Sequence, residues 1–200
     1  MRKYILISLL LMLSAGVLAQ DLVSDAFKAS YISETNQDYA KAVQDMLKVY
    51  SQESYAVNLR LGWLYYLNGD LNKSKTHYLN AIALKQNSLE ARFGLVYPVY
   101  AMKNTDDVIR IYQEILSIDK QNTTARYRIA SLYYTRKNWT EAVSNLNKIL
   151  DLYPFDFDSN YLLGNVYIKL GKINEAKRVL NIALQYNPTS SELIEILKGL

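Results

Sequence analysis

A repeat of 34 residues runs through most of this chain of 200 amino acids and constrains its fold more than any other feature. Blocks aligned without gaps begin at Tyr55, Leu89, Thr123 and Phe157. The eighth place of each block holds a small or aliphatic residue: Gly62, Val96, Ala130 and Gly164. Because one such block cannot bury its apolar face alone, the period predicts a stack of similar units.

Each block has the pattern of two amphipathic helices. In the last block, apolar residues at helical spacing predict a first helix over Ser159 to Leu170 and a second over Asn174 to Tyr186. Gly171 is expected to end the first of these, since glycine adopts the left-handed geometry that closes many helices. Pro188 follows the second, where its missing N–H does no harm.

These blocks resemble tetratricopeptide repeats. The last block matches the family pattern at Leu163, Gly164, Tyr167, Gly171, Ala176, Ala183 and Pro188. The block at Thr123 matches it at Ala130, Tyr133, Trp139, Ala142 and Pro154, whereas the block at Leu89 is divergent and carries Val96, Val99 and Val108.

The resemblance implies an all-α fold, a right-handed α-α superhelix, with four clear repeats. They span residues 55–88, 89–122, 123–156 and 157–190. Residues 23–54 are expected to form a degenerate repeat, and residues 191–200 a capping helix.

Residues 1–19 have the plan of a secretory signal peptide. Arg2 and Lys3 precede an apolar run, and Ala19 supplies the small residue before the expected cleavage site. An uncleaved anchor is the alternative, although the apolar run is short for a membrane span. Val17 stands where a lipoprotein would carry its lipidated cysteine, so the chain is expected to be exported without a lipid to the periplasm or cell envelope, with secretion as the alternative.

Composition argues against catalysis. The chain has no cysteine, which excludes disulfides and thiol chemistry, and its one histidine, His77, is expected to be solvated or at an edge. Without Arg2 and Lys3 the formal net charge falls from +4 to about +2, which does not suggest a nucleic-acid surface. We therefore expect no catalytic residue, no metal and no cofactor.

In a stack of this family, the first helices line a concave groove. The residues expected to face it are Phe27, Tyr31, Trp63, Tyr66, Phe93, Tyr97, Tyr100, Tyr127, Arg128, Tyr134, Tyr161 and Asn165, with Arg60 and Lys169 as further polar contacts. Tyr66, Tyr100 and Tyr134 lie one period apart and are expected to form a ladder. The alternative is that these rings fill space between neighbouring helices.

The sequence thus favours a non-enzymatic scaffold that binds a peptide or protein segment in this groove and acts in the cell envelope. The alternatives are a carbohydrate- or cell-wall-binding module, in which tyrosine and Trp63 stack on sugars, and an accessory subunit of an envelope enzyme complex. The family's carboxylate clamp is not expected, because only Arg128 matches it. Pro98 is expected to kink its helix, which Gly94 weakens further; the oligomeric state is left open.

Overall fold

The computed structural model describes residues 21–200, and the predicted signal peptide lies outside the described residues. All regular secondary structure in the described part is α-helical, which confirms the all-α prediction. The helices are α1 (residues 21–35), α2 (Tyr39–Leu47), α3 (Tyr55–Leu67), α4 (Leu71–Leu84), α5 (Leu89–Ala101), α6 (Thr105–Ile118), α7 (Thr123–Thr135), α8 (Trp139–Leu150), α9 (Phe157–Lys169), α10 (Ile173–Tyr186) and α11 (Ser191–Gly199).

The first helix of each clear block begins at the first residue of that block, because the residue before it is a capping residue. The caps are Ser54, Ser88, Asn122 and Asp156. Each side-chain oxygen accepts a hydrogen bond from the backbone N–H three residues later, at 3.4, 3.0, 2.9 and 2.8 Å. These bonds satisfy amide groups that have no partner within the helix.

The turn between the two helices of each block contains a residue with left-handed backbone geometry. Gly69, Lys103, Lys137 and Gly171 have φ angles of 83°, 61°, 60° and 70°. Gly171 therefore ends its helix as predicted. The same geometry at the two lysines was not predicted, because it is uncommon for residues with a Cβ atom.

The chain forms two compact units, the first ending at Asn104 and the second spanning Thr105–Leu200. In the first unit, α3 packs against α2, α4 and α5, and α4 packs against α5. In the second unit, each helix from α6 to α11 packs on the next, and α7 also contacts α9.

Two glycines in the first unit allow a tyrosine to pack close to the helix backbone. The Tyr78 ring of α4 is buried against Gly62 of α3 and Gly94 of α5. A Cβ atom at Gly94 would lie only 2.1 Å from Cε1 of Tyr78. The sequence suggested only that Gly94 weakens its helix, whereas the structure shows that it makes room for Tyr78.

Pro98 lies inside α5, which continues without a break from Leu89 to Ala101. Proline cannot donate a hydrogen bond to the carbonyl of Gly94, so one bond of the helix is missing. The Pro98 ring is buried, and its carbonyl accepts a hydrogen bond from the Met102 N–H at 3.0 Å. The helix continues past this proline, and the expected kink stays a prediction.

Candidate functional site

Five aromatic side chains on α1, α3 and α5 form what we call the aromatic surface of the first unit: Tyr31, Trp63, Tyr66, Tyr97 and Tyr100. The ring centroid of Tyr97 lies 5.6 Å from that of Trp63 and 5.4 Å from that of Tyr66. The centroids of Trp63 and Tyr66 are 5.7 Å apart. Such separations are typical of favourable aromatic pairs. Tyr100 lies three residues after Tyr97 and hence on the same face of α5.

Part of this surface is open to solvent. Tyr31, Tyr97 and Tyr100 expose 55%, 49% and 61% of their area. Trp63 and Tyr66 are half-buried beside them. An aromatic ring that is exposed but supported by neighbours offers contact area at a low entropic cost.

One carboxylate on α1 holds the base of the aromatic surface together. Glu34 Oε2 lies 2.5 Å from Arg60 Nη1, and Glu34 Oε1 accepts a hydrogen bond from the Trp63 indole N–H at 2.7 Å. Arg60 Nε also donates to Ser30 Oγ at 3.1 Å. The Arg60 guanidinium carbon lies 3.8 Å from the Tyr31 ring centroid, within the range of a cation–π contact.

Arg60 was expected to provide a polar contact in the groove, and this expectation was wrong. Its side chain is only 6% exposed and is engaged by Glu34, Ser30 and Tyr31, so it supports the surface from below. The sequence places Arg60 on the correct helix, but the periodicity of α3 contains no information about a carboxylate on α1.

Phe27 and Phe93 are two more aromatic residues of the first unit that were predicted to face the groove. Phe27 is half-buried and packs on the core between α2 and α3. Phe93 is also half-buried. For Phe27 the structure therefore favours the alternative role of filling space between helices.

In the second unit, the predicted tyrosines are half-buried. Tyr127 and Tyr134 pack against the core formed by α7, α8, α9 and α10, and the Tyr134 ring centroid lies 5.4 Å from that of Trp139. Tyr161 packs on the C-terminal core and donates its hydroxyl to Glu192 Oε1 of α11 at 2.5 Å. This bond to Glu192, together with burial, raises the pKa of Tyr161.

The remaining predicted polar residues differ in their environment. Asn165 Nδ2 donates to the backbone carbonyl of Tyr161 at 3.1 Å, so this amide is engaged within α9. Lys169 is exposed in the last turn of α9. Arg128 is exposed and lines a cleft beside Tyr127.

The tyrosine ladder stays a prediction. The ring of Tyr66 contacts Trp63 and Tyr97, so its neighbours include residues on two helices. Tyr134 belongs to the second unit.

His77, which was expected to be solvated or at an edge, packs against two tyrosine rings. It is half-buried on α4, stacked at 5.2 Å on Tyr65 and in edge contact at 5.5 Å with Tyr50. Its Nδ1 lies 2.9 Å from Asn58 Oδ1, whose amide nitrogen donates to backbone carbonyls of the loop before α3. The proton of the neutral imidazole is therefore on Nδ1.

Lowering the pH is expected to destabilise the fold through this histidine. Burial, with a contribution from Lys73, lowers the pKa of His77 below its ordinary value of 6.5. Below about pH 6.5, His77 therefore binds a proton more readily in the unfolded state than in the folded state, and the stability of the fold decreases as the pH falls. We expect the melting temperature of the wild type to drop between about pH 7.5 and pH 5, a range in which few other side chains titrate.

The matching variant is His77→Gln, which keeps a hydrogen-bonding side chain but removes the titration. Its melting temperature is expected to change much less over the same pH range. Equal slopes for the two proteins would show that His77 does not cause the effect.

The described residues hold no grouping of histidine, aspartate and glutamate suited to a metal ion. Between residues 21 and 200, no helix is both long and apolar enough to cross a membrane.

Family models match two segments of the chain. A model described as tetratricopeptide repeat matches residues 55–88, the block that contains α3 and α4. A model described as anaphase-promoting complex, cyclosome, subunit 3 matches residues 101–183. No curated protein matches the sequence.

Solved structures share the fold over most of the chain. A tetratricopeptide repeat protein from Parabacteroides merdae is 17% identical with a TM-score of 0.74, over 88% of this chain and 71% of that one. A MamA protein is 18% identical with a TM-score of 0.72, over 86% and 96% of the two chains. MamA from Desulfovibrio magneticus is 12% identical with a TM-score of 0.70, over 86% and 98%. The predicted fold class is therefore confirmed.

Proposed function

Since the chain belongs to the tetratricopeptide-repeat family, we propose that it is a non-enzymatic scaffold that binds a segment of another protein on the aromatic surface of its first unit. The supporting observation is that the exposed Tyr97 of α5 contacts the half-buried Trp63 and Tyr66 of α3, while the exposed Tyr31 of α1 lies against Arg60 of the same helix α3. Contact areas rich in tyrosine and tryptophan are typical of sites that carry most of the binding energy in protein interfaces.

The salt bridge beneath the rings supports this proposal. Because Glu34 and Arg60 neutralise each other, the aromatic surface presents mainly rings and hydroxyl groups. A partner would gain apolar contact from the ring faces and orientation from the hydroxyl groups of Tyr31, Tyr97 and Tyr100. We expect such a surface to bind an extended or helical segment that carries apolar side chains.

We place this activity in the cell envelope, on the strength of the signal peptide predicted for residues 1–19. A carbohydrate-binding module and an accessory subunit of an enzyme complex are the competing assignments. A carbohydrate-binding module would be distinguished from the proposed scaffold by its ligand. An accessory subunit would be distinguished by the identity of the partner that it captures.

The double variant Tyr97→Ala/Tyr100→Ala tests the proposal. A peptide is first selected from a displayed library against the full wild-type chain, and its affinity is then measured by fluorescence anisotropy. Because both rings are exposed, the variant is expected to keep its helical circular dichroism while binding weakens by about tenfold or more.

The control is Tyr153→Ala/Tyr186→Ala, which removes two exposed tyrosines of the second unit. It is expected to bind the peptide like the wild type. Undiminished binding by Tyr97→Ala/Tyr100→Ala would refute the site. If the wild-type protein sedimented with purified cell-wall polymer and Tyr97→Ala/Tyr100→Ala did not, the carbohydrate-binding assignment would be favoured instead.

A further inference from the structure

The exposed rings of the aromatic surface carry hydroxyl groups that are accessible to a ligand. Tyr31, Tyr97 and Tyr100 are exposed, and between residues 21 and 200 their hydroxyl groups form no hydrogen bond. By contrast, the hydroxyl groups of Tyr55 and Tyr161 are engaged by neighbouring side chains. The aromatic surface therefore offers hydrogen-bond donors next to apolar ring faces.

The charges that touch the rings are already balanced. Glu34 forms a salt bridge with Arg60, and it also accepts the hydrogen bond of the Trp63 indole N–H. An acidic or basic ligand would lose water from its charged groups without gaining an opposite charge here. The electrostatic balance of the surface is therefore complementary to an uncharged ligand, and its available polar groups are phenol hydroxyls.

The free hydroxyl groups distinguish between the conformations that a bound segment could have. An α-helix uses its backbone carbonyls internally, so it would offer the hydroxyl groups few acceptors. A β-strand offers carbonyls, but it also brings N–H groups that need acceptors of their own. A proline-rich segment in the polyproline II conformation has free carbonyls and lacks the N–H group at every proline. Its pyrrolidine rings supply apolar faces at the same time.

The width of the surface suits a short segment of this kind. Arg60 of α3 donates to Ser30 of α1, and α3 packs against α5, so the three helices are neighbours. Neighbouring helix axes lie about 10 Å apart, which gives about 20 Å across three helices. A polyproline II segment rises about 3.1 Å per residue, so about seven residues would cross all three.

We propose that the aromatic surface binds an uncharged, proline-rich segment in the polyproline II conformation. Its proline rings pack on the exposed faces of Tyr31, Tyr97 and Tyr100, and its backbone carbonyls accept hydrogen bonds from the hydroxyl groups of these residues. This inference deepens the proposed function and rests on it, because it names the class of segment that the same surface captures. Such a segment is already extended before it binds, so little conformational entropy is lost.

The test measures the binding of a fluorescein-labelled decamer of L-proline to the full chain by fluorescence anisotropy. The matched control is the labelled decamer of D-proline, which has the same composition and apolar area but forms the mirror-image helix. We expect saturable binding of the L-proline decamer below about 1 mM, and binding of the D-proline decamer that is weaker by about tenfold or more. Equal binding of the two decamers, or no saturable binding of the L-proline decamer, would overturn the inference.

A second experiment examines the hydroxyl groups alone. Tyr97→Phe/Tyr100→Phe keeps both rings and is expected to weaken binding of the L-proline decamer about threefold to tenfold. Its control, Tyr153→Phe/Tyr186→Phe, removes the hydroxyl groups of two exposed tyrosines of the second unit and is expected to leave binding unchanged. Undiminished binding by Tyr97→Phe/Tyr100→Phe would contradict the assigned hydrogen bonds.

The library-selected peptide separates this inference from the proposed function. If that peptide depends on Tyr97 and Tyr100 while the L-proline decamer does not bind, the inference fails and the proposed function stands. If Tyr97→Ala/Tyr100→Ala binds both the selected peptide and the decamer as the wild type does, both fail. Loss of both ligands in this variant supports both.

Discussion

The variant Glu34→Ala is expected to lower the free energy of unfolding by about 2–3 kcal/mol. Arg60 is only 6% exposed, and Glu34, at 23%, is the carboxylate that balances its charge. Removing one partner of a buried pair leaves the other charge without compensation, which is more costly than the pair itself is stabilising. The indole N–H of Trp63 loses its acceptor at the same time.

Chemical denaturation followed by circular dichroism measures this loss. Glu34→Gln keeps one oxygen, which can accept from Trp63 or from Arg60 but does not replace both carboxylate oxygens or the negative charge, so it is expected to recover only part of the loss. Glu53→Ala removes an exposed carboxylate of the same unit and is expected to change stability by less than about 0.5 kcal/mol. If Glu34→Ala resembled Glu53→Ala, the carboxylate would not support the aromatic surface.

This loss is also expected to reach the binding site. Without Glu34, Arg60 and Trp63 lose the contact that fixes their positions next to Tyr31 and Tyr97. In a Trp139→Phe background Trp63 is the only tryptophan, so its fluorescence reports directly on that environment. A shifted emission maximum in Glu34→Ala is the expected result.

The second large effect is expected from Gly94→Ala, which should destabilise the fold by about 2 kcal/mol. Its new Cβ atom would lie 2.1 Å from Cε1 and 2.6 Å from Cζ of Tyr78. The Tyr78 ring is buried and also packs against Gly62, where an added Cβ atom would lie 2.9 Å from Cγ and Cδ2 of the ring. The ring therefore has little room to move. Alanine's better helix propensity recovers only about 1 kcal/mol.

Gly199→Ala is the matched control, because a Cβ atom there meets nothing within 4 Å. The stabilities come from the same denaturation experiment, and hydrogen exchange locates the loss. We expect faster exchange in α4 and α5 of the Gly94→Ala variant. A variant as stable as the wild type would show that α4 can move away from α5 at no cost.

The two experiments address different properties of the first unit. Gly94 controls how closely α4 approaches α5, whereas Glu34 controls how α1 is joined to α3. The first is a matter of packing, in which one extra methyl group strains a close contact. The second is electrostatic, in which a buried positive charge requires its partner.

Helix positions were predictable because their determinants are local. Ser54, Ser88, Asn122 and Asp156 recur at one register and cap their helices through bonds that reach only three residues. The predicted start of the first helix in the last block was two residues late, since Phe157 already belongs to α9. The effect of Gly171 was read correctly because a left-handed turn is a property of one residue.

The candidate site was predictable only in outline. Helical spacing placed Tyr31, Tyr97 and Tyr100 on first helices, and these rings are exposed. The same spacing assigned Arg60 to the groove, which was wrong, and placed His77 in solvent or at an edge, whereas it is half-buried. Their environments depend on Glu34, Asn58 and Tyr65, which periodicity does not relate to them.

The sequence by itself determined the helices, their caps and their order, because these follow from the 34-residue repeat and from contacts within a few residues. Only the tertiary structure decided that Gly94 makes room for Tyr78 and that Glu34 neutralises Arg60. Each of these depends on the distance between atoms of different helices. A one-dimensional pattern identifies a buried face but does not specify which side chains meet there.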